Sequence, residues 1–393
     1  MFSHKVVSNL GKSSAIRAMF EQGEALRKIH GPDKVYDFSL GNPDIEPPES
    51  VKRAIVELLH SDKAIHKYMN NAGYLDVRQK LAESISTEMG VKIEYKHVVM
   101  TCGAAGAINI AFKTLLNPGD EVIVISPFFV EYQAYIENHL GKMVVVKSNP
   151  ETFMPDISAI EKALTENTKA IIINSPNNPT GVVYSQEVLE EMANLFGEYE
   201  KKYNHRIFVI ADEPYKKIVY DSVVVPSVLK IFKNSIVVNS FSKTLSLPGA
   251  RIGYAAVSPS MDNVDMLMDG LIFSNRVLGF VNAPSLFQKV IAQTLDESVD
   301  TMKYQKRRDL LYNHLISLGL QCVKPQGAFY LFPKSPIEDD VEFAARAVKY
   351  NILVVPGSGF GCPGHFRIAY CVDTKIIENS LTAFEALVRC VKL

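Results

Sequence analysis

The sequence predicts an α/β protein in which a larger domain holds a seven-stranded, mostly parallel sheet and a smaller domain is α+β. Three observations carry this expectation. First, seven short apolar, β-branched runs lie at 97–101, 121–126, 142–147, 169–174, 206–211, 235–239 and 251–257. They are continuous rather than alternating, as strands buried on both faces are. Helix-like stretches separate them, which calls for right-handed crossovers between parallel neighbours. Second, 393 residues exceed one simple core and suit two domains. Third, the pattern changes past the sheet. A long helical region at 289–318 leads to a strand-like 326–332, a helix near 341–350, two further strand-like segments and a last helix at 374–390. The expected division gives 48–290 to the large domain and 1–47 with 291–393 to the small one.

Composition narrows the function. Apolar residues make up 47% and charged residues 22%, ordinary globular values. A net charge of −1 implies neither a nucleic-acid partner nor an acidic membrane surface. The five cysteines are scattered and form no CxxC pair, which argues against a disulfide framework or a zinc site and for a reducing compartment. The N-terminal segment lacks an apolar signal region, and no stretch reaches the ~20 apolar residues a bilayer span needs. The expected location is the cytoplasm, with no membrane partner.

Ahead of the sheet, Ser13 to His30 reads as an amphipathic helix ending before Gly31-Pro32. Gly41-Asn42-Pro43-Asp44 is a loop signal, and Pro47-Pro48 opens a helix from about Glu49 to Leu59. Asn70, Asn71 and Gly73 break the chain before a helix that runs to about Met89.

Ligands in a doubly wound sheet bind beyond the carboxyl ends of its strands, so the loops that follow the strands are the candidate sites of chemistry. After the first strand, Gly103 and Gly106 open an alanine-rich helix whose free N–H groups suit a phosphate, although a GxxG can equally serve close packing. Asn174 to Gly181 (NSPNNPTG) forms a turn that presents Asn178. The fifth strand runs directly into Asp212, a carboxylate that must be paired or hydrogen-bonded there, or that caps the next turn. The sixth ends in Ser240-Phe241-Ser242-Lys243, with Arg251 eight residues beyond the lysine. A lysine in a poorly hydrated cleft beside another cation has a lowered pKa, and the neutral amine can condense with an aldehyde. Two hydroxyls and a guanidinium beside it suit a phosphate.

The stretch Ser240 to Tyr254 resembles the active-site lysine segment of fold-type I, pyridoxal-phosphate-dependent aminotransferases of class I/II, the aspartate aminotransferase-like kind. The order Asn178, Asp212, Lys243, Arg251 is also similar to the family's, and the resemblance runs from Asp37 to the end of the chain. It implies pyridoxal 5'-phosphate as cofactor and Lys243 as its covalent attachment. Ser240, Ser242, Arg251 and the backbone at Ala104 and Ala105 are then expected at the phosphate. Many relatives carry hydroxyl or longer side chains at those two alanine positions, so only backbone contacts would survive there. Phe129 is expected against the pyridine ring, Asp212 at its nitrogen, and Asn178 and Tyr215 at its phenolic oxygen. Gly41, Asn178 and Arg367 are expected at the substrate carboxylate. Tyr68 is expected to reach a neighbouring subunit's phosphate, which implies a homodimer, although on spacing alone a lone tyrosine is more often a core-edge residue.

The activity this implies is ping-pong transfer of an amino group between an L-amino acid and a 2-oxo acid, with Lys243, Asp212 and Tyr215 as catalytic residues. A carbon–sulfur β-lyase shares nearly all of these residues and is the alternative. A cofactor-sensing regulator would need an added DNA-binding segment, for which the resemblance leaves no room. Arg276 stands six residues before Asn282-Ala283-Pro284, near but offset from a family pattern in which an arginine of the neighbouring subunit binds a distal carboxylate. That spacing raises aspartate and 2-oxoglutarate as a substrate pair. An arginine pairing at a dimer interface explains it equally well.

Overall fold

A computed structural model describes residues 2–3, 6–7, 14–61 and 65–392. All seven expected strands form one sheet. They are β2 (Val98–Thr101), β3 (Glu121–Ser126), β4 (Lys142–Lys147), β5 (Thr168–Asn174), β6 (Phe208–Asp212), β7 (Ser235–Ser240) and β8 (Gly253–Val257), following a short β1 (Tyr36–Asp37). The sheet order is β2-β8-β7-β6-β5-β3-β4. β8 runs antiparallel to both its neighbours, and the remaining pairs are parallel.

The continuous apolar runs resolve into two buried faces. Ile123, Ile171, Val209 and Val237 point to one face, where the helices Glu49–Leu59, Leu75–Met89 and Gln186–Tyr203 cover them. Val122, Ile172, Ile210 and Ile236 point to the other, beneath the helices Gly103–Leu115 and Val264–Val277. Adjacent residues of one strand thus feed different cores, which is why the runs show no polar alternation.

A third core lies beyond the carboxyl ends of the sheet. It packs the helices Thr301–Ser317, Asp340–Val348 and Thr374–Lys392 around a sheet ordered β11-β12-β9, formed by β9 (Tyr330–Leu331), β11 (Val355–Pro356) and β12 (Phe366–Ala369). β10 (Ile352–Leu353) pairs in parallel with β1, so the segment before Gly41 is held against this unit. Tyr215, Ile218 and Tyr220, which follow β6, also enter this core and tie the two units together.

Two expected elements come out differently. The helical region at 289–318 is two helices, Ser285–Ile291 and Thr301–Ser317. Asp300 caps the second by accepting a 3.0 Å hydrogen bond from the Met302 N–H, so the intervening polar residues end one helix and begin another. Of the strand-like 326–332, only Tyr330–Leu331 pairs regularly, because Ala328 adopts a left-handed φ of 57° that interrupts the extended chain. Among the described residues no helix is long and apolar enough to cross a membrane, and no cluster of three or more metal-ligating side chains occurs.

Candidate active site

A cavity of about 390 Å³ opens where β5, β6 and β7 end, between the sheet and the third core. The loops that follow these strands supply its floor, and β12 with the Ser39–Gly41 segment supplies its far wall. Twelve of the fourteen residues singled out in the sequence line it.

Lys243 follows β7 on a single helical turn, Phe241–Thr244. Its Nζ donates a 2.6 Å hydrogen bond to the Gly41 carbonyl and lies 5.5 Å from the Phe329 ring centroid. The cavity leaves the side chain half-buried by surface, while protein surrounds it on its other sides. That burial, more than Arg367 and Arg251 nearby, pulls its pKa down to about 8, against an opposing push from Cys371. A lysine in that range supplies neutral amine at moderate pH.

Asp212 is the last residue of β6 and is buried. Its Oδ2 accepts a 2.6 Å hydrogen bond from the Tyr132 hydroxyl, and its Oδ1 has no partner. Burial raises the carboxyl pKa to about 6; the Tyr132 bond works against this and Glu213 adds to it. Asp212 is therefore not a helix cap. It is a buried carboxylate with one open oxygen, an arrangement that calls for a cationic or N–H partner.

Asn174 shapes the loop after β5. Its side chain donates to the Asp212 carbonyl at 2.8 Å and accepts from the Asn178 backbone N–H at 2.7 Å. Asn178 then accepts from Arg367 Nη1 at 3.1 Å, and Arg367 Nη2 donates to the Ser39 carbonyl at 2.6 Å. The Arg367 guanidinium lies 4.7 Å from the Tyr330 ring centroid and 4.8 Å from that of Phe360. Its Nε is buried without a partner. A rigid, aromatic-flanked fork of this kind suits a carboxylate.

On the opposite side, Gly103 begins the helix Gly103–Leu115 with φ 74°, a conformation that favours glycine. A Cβ there would also stand 3.1 Å from Arg251 Nη2. Arg251 thus rests against the start of this helix, with Ala104, Ala105, Ser240 and Ser242 around the same end of the cavity. Free helical N–H groups, two hydroxyls and a guanidinium make an anion site. Phe129 is half-buried on the wall between this end and Tyr132, whose ring it meets edge-on at 5.6 Å.

Tyr68 and Arg276 are not brought to the cavity within this chain. Tyr68 is 94% exposed and borders a separate groove with Phe280, Val281 and Asn282. Arg276 is exposed near the end of Val264–Val277, beside the Phe273 ring.

The family model described as aminotransferase class I and II matches residues 33–384. The chain belongs to the class I and II aminotransferases. Among its relatives, the aspartate/prephenate aminotransferase of Thermus thermophilus is 34% identical over 95% of both chains. The aromatic-amino-acid aminotransferase 2 of Thermococcus litoralis is 32% identical over 97% of both. A crystal structure of an amino transferase from Eubacterium rectale superposes with a TM-score of 0.97, at 39% identity and full coverage of both chains. The protein is therefore a pyridoxal-phosphate-dependent aminotransferase of fold type I, acting on amino acids and 2-oxo acids, and this membership favours transamination over the β-lyase.

The cavity of this aminotransferase fits that cofactor. The open Asp212 oxygen matches a protonated ring nitrogen, and the Gly103 cradle with Arg251 matches a phosphate. Sequence reasoning missed Tyr132, Asn174, Ser39 and Tyr330, all of which act through contacts across the fold. Tyr132 lies three residues past Phe129, and Asn174 opens the very motif that presents Asn178, so sequence position is the signal that could have found both.

Proposed function

We propose that Lys243, Asp212, Asn178, Arg251 and Arg367 form the catalytic and binding set for transamination, and that a second copy of the chain completes the site. The observation that carries this reading is a buried carboxylate with an open oxygen lining the same cavity as a lysine whose pKa is pulled down to about 8. When bound, the cofactor supplies an electrophilic carbon for the substrate amine and an electron sink for charge developing at the substrate Cα.

The chain's own groups do the rest. Ser240, Ser242, Arg251 and the N–H groups at Ala104 and Ala105 hold the phosphate. Asp212 keeps the ring nitrogen protonated, and Tyr132 holds Asp212 in place through its 2.6 Å bond. Phe129 supports the ring plane, and Tyr215 and Asn178 hydrogen-bond the phenolic oxygen. Arg367, steadied by Asn178 and the Ser39 carbonyl, grips the substrate carboxylate beside Gly41. Charge-assisted bonds of this kind are worth about 1.5–3 kcal/mol each. With the amino acid in place, Lys243 Nζ removes the Cα proton as a general base and returns a proton as a general acid.

The two residues left outside the cavity support the proposed dimer. Tyr68 and the exposed apolar groups Phe273 and Val277 offer a surface for a second copy, across which Tyr68 and Arg276 reach its cavity. Arg276 then gives a distal carboxylate its cation, which makes aspartate and 2-oxoglutarate the proposed pair. The small unit is proposed to comprise 1–47 and 291–393, supported by the third core, and the location to be the cytoplasm. The test is to incubate the cofactor-loaded enzyme with aspartate and 2-oxoglutarate and follow oxaloacetate and glutamate. Release of pyruvate and ammonia from a cysteine thioether without any oxo acid would identify the lyase instead.

A further inference from the structure

We propose that Tyr330 is a positioning residue for the transamination, linking the carboxylate clamp at Arg367 to the hydroxyl of Tyr215 and to the Gly41 segment on which Lys243 rests. The inference builds on the reading of the cavity given above. Tyr330 sits on β9, opposite Ala369 of β12 and therefore diagonal to Arg367. It is 2% exposed. Three independent contacts converge on it. Its ring lies 4.7 Å from the Arg367 guanidinium, its hydroxyl is 2.8 Å from that of Tyr215, and a Cβ added to Gly41 would fall 2.0 Å from the same hydroxyl. The Gly41 backbone therefore runs directly against Tyr330 and offers its carbonyl to Lys243 from that position.

Packing alone needs only the ring, which a phenylalanine would supply. The hydroxyl is a buried polar group whose hydrogen-bond partner is Tyr215, and its direction matters. Each tyrosine has one proton to give. Either hydroxyl can donate in this pair, and the Arg367 cation acts on both tyrosines. In the proposed arrangement Tyr330 donates to Tyr215, which leaves the Tyr215 proton free to point into the cavity that both residues line. Without the Tyr330 hydroxyl, Tyr215 loses that constraint while the clamp keeps its aromatic face.

The test uses the cofactor-loaded enzyme and compares Tyr330→Phe, Tyr330→Leu, Tyr215→Phe and the Tyr215→Phe/Tyr330→Phe double variant. Tyr330→Phe should lower kcat about 5- to 10-fold with the amino-acid KM within about twofold, the size of one lost hydrogen bond. It should also move the pKa read from the cofactor absorbance by about half a unit or more. Tyr330→Leu should in addition raise KM about tenfold, because Arg367 loses its ring. The double variant should match Tyr215→Phe within about twofold, since the two hydroxyls act as one unit. An unchanged absorbance pKa and kcat in Tyr330→Phe, or fully additive losses in the double variant, would overturn the proposal. Peptide mapping of the wild-type enzyme after borohydride reduction separates the two readings. Cofactor on Lys243 with a wild-type-like Tyr330→Phe refutes only the link, whereas no cofactor on Lys243 refutes the underlying site.

Discussion

Replacing Asp212 by asparagine in the cofactor-free enzyme should remove a specific pH dependence of stability. The folded carboxyl has its pKa raised from 3.8 to about 6, chiefly by burial. The folded state therefore holds this proton more tightly than the unfolded chain does. The resulting stabilisation is fully present below pH 3.8 and is lost as pH rises through about 6. At roughly 1.4 kcal/mol per pKa unit, the loss amounts to about 3 kcal/mol over the whole window. Nearly half of it, about 1.4 kcal/mol, falls between pH 5 and pH 7.5 by the same linkage. The assay is urea unfolding of both apoenzymes at several pH values across that range, with the two stability curves subtracted. The wild type should lose about 1.4 kcal/mol relative to Asp212→Asn between the two ends. Bound cofactor should abolish this difference, because a cation at Oδ1 restores an ordinary carboxylate. Parallel curves for the two apoenzymes would refute the assignment of a buried, unpaired carboxylate.

Two further outcomes follow from the proposed site. Arg276→Ala should reduce kcat/KM for aspartate about 10- to 150-fold, the worth of one charged hydrogen bond, and leave alanine or an aromatic substrate little changed; equal losses for all of them in steady-state assays would remove Arg276 from the substrate site. Gly41→Ala should raise KM for amino acids and slow cofactor loading, because its Cβ would fall 2.0 Å from a Tyr330 hydroxyl too buried to move aside; wild-type kinetics would mean that this segment is looser than the contacts indicate.

Most of the sheet was legible because strands buried on both faces leave continuous apolar runs, and Val-Ile-rich segments such as 121–126 and 142–147 show their full extent. The break in the 289–318 helix was not legible, because it depends on Asp300 choosing to cap rather than continue a polar helix. Nor was the short span of β9, since the left-handed Ala328 leaves no mark in composition. Within the site, Lys243, Asp212 and Asn178 were legible because each lies at a strand end or within four residues past one. Tyr132 and Tyr330 were not, because their value lies in long-range contacts with Asp212 and Arg367, and a tyrosine beside an apolar run reads as core. Tyr68 and Arg276 show the opposite case. Their residue types and spacing resemble a family pattern, but a single chain leaves both side chains in solvent.

The most direct measurement is the attachment site of the cofactor. Borohydride reduction of the loaded enzyme, digestion and mass spectrometry should place a pyridoxyl group on Lys243 alone, and Lys243→Ala should retain cofactor only noncovalently. A pyridoxyl group on any other lysine, or full turnover in Lys243→Ala, would contradict the account.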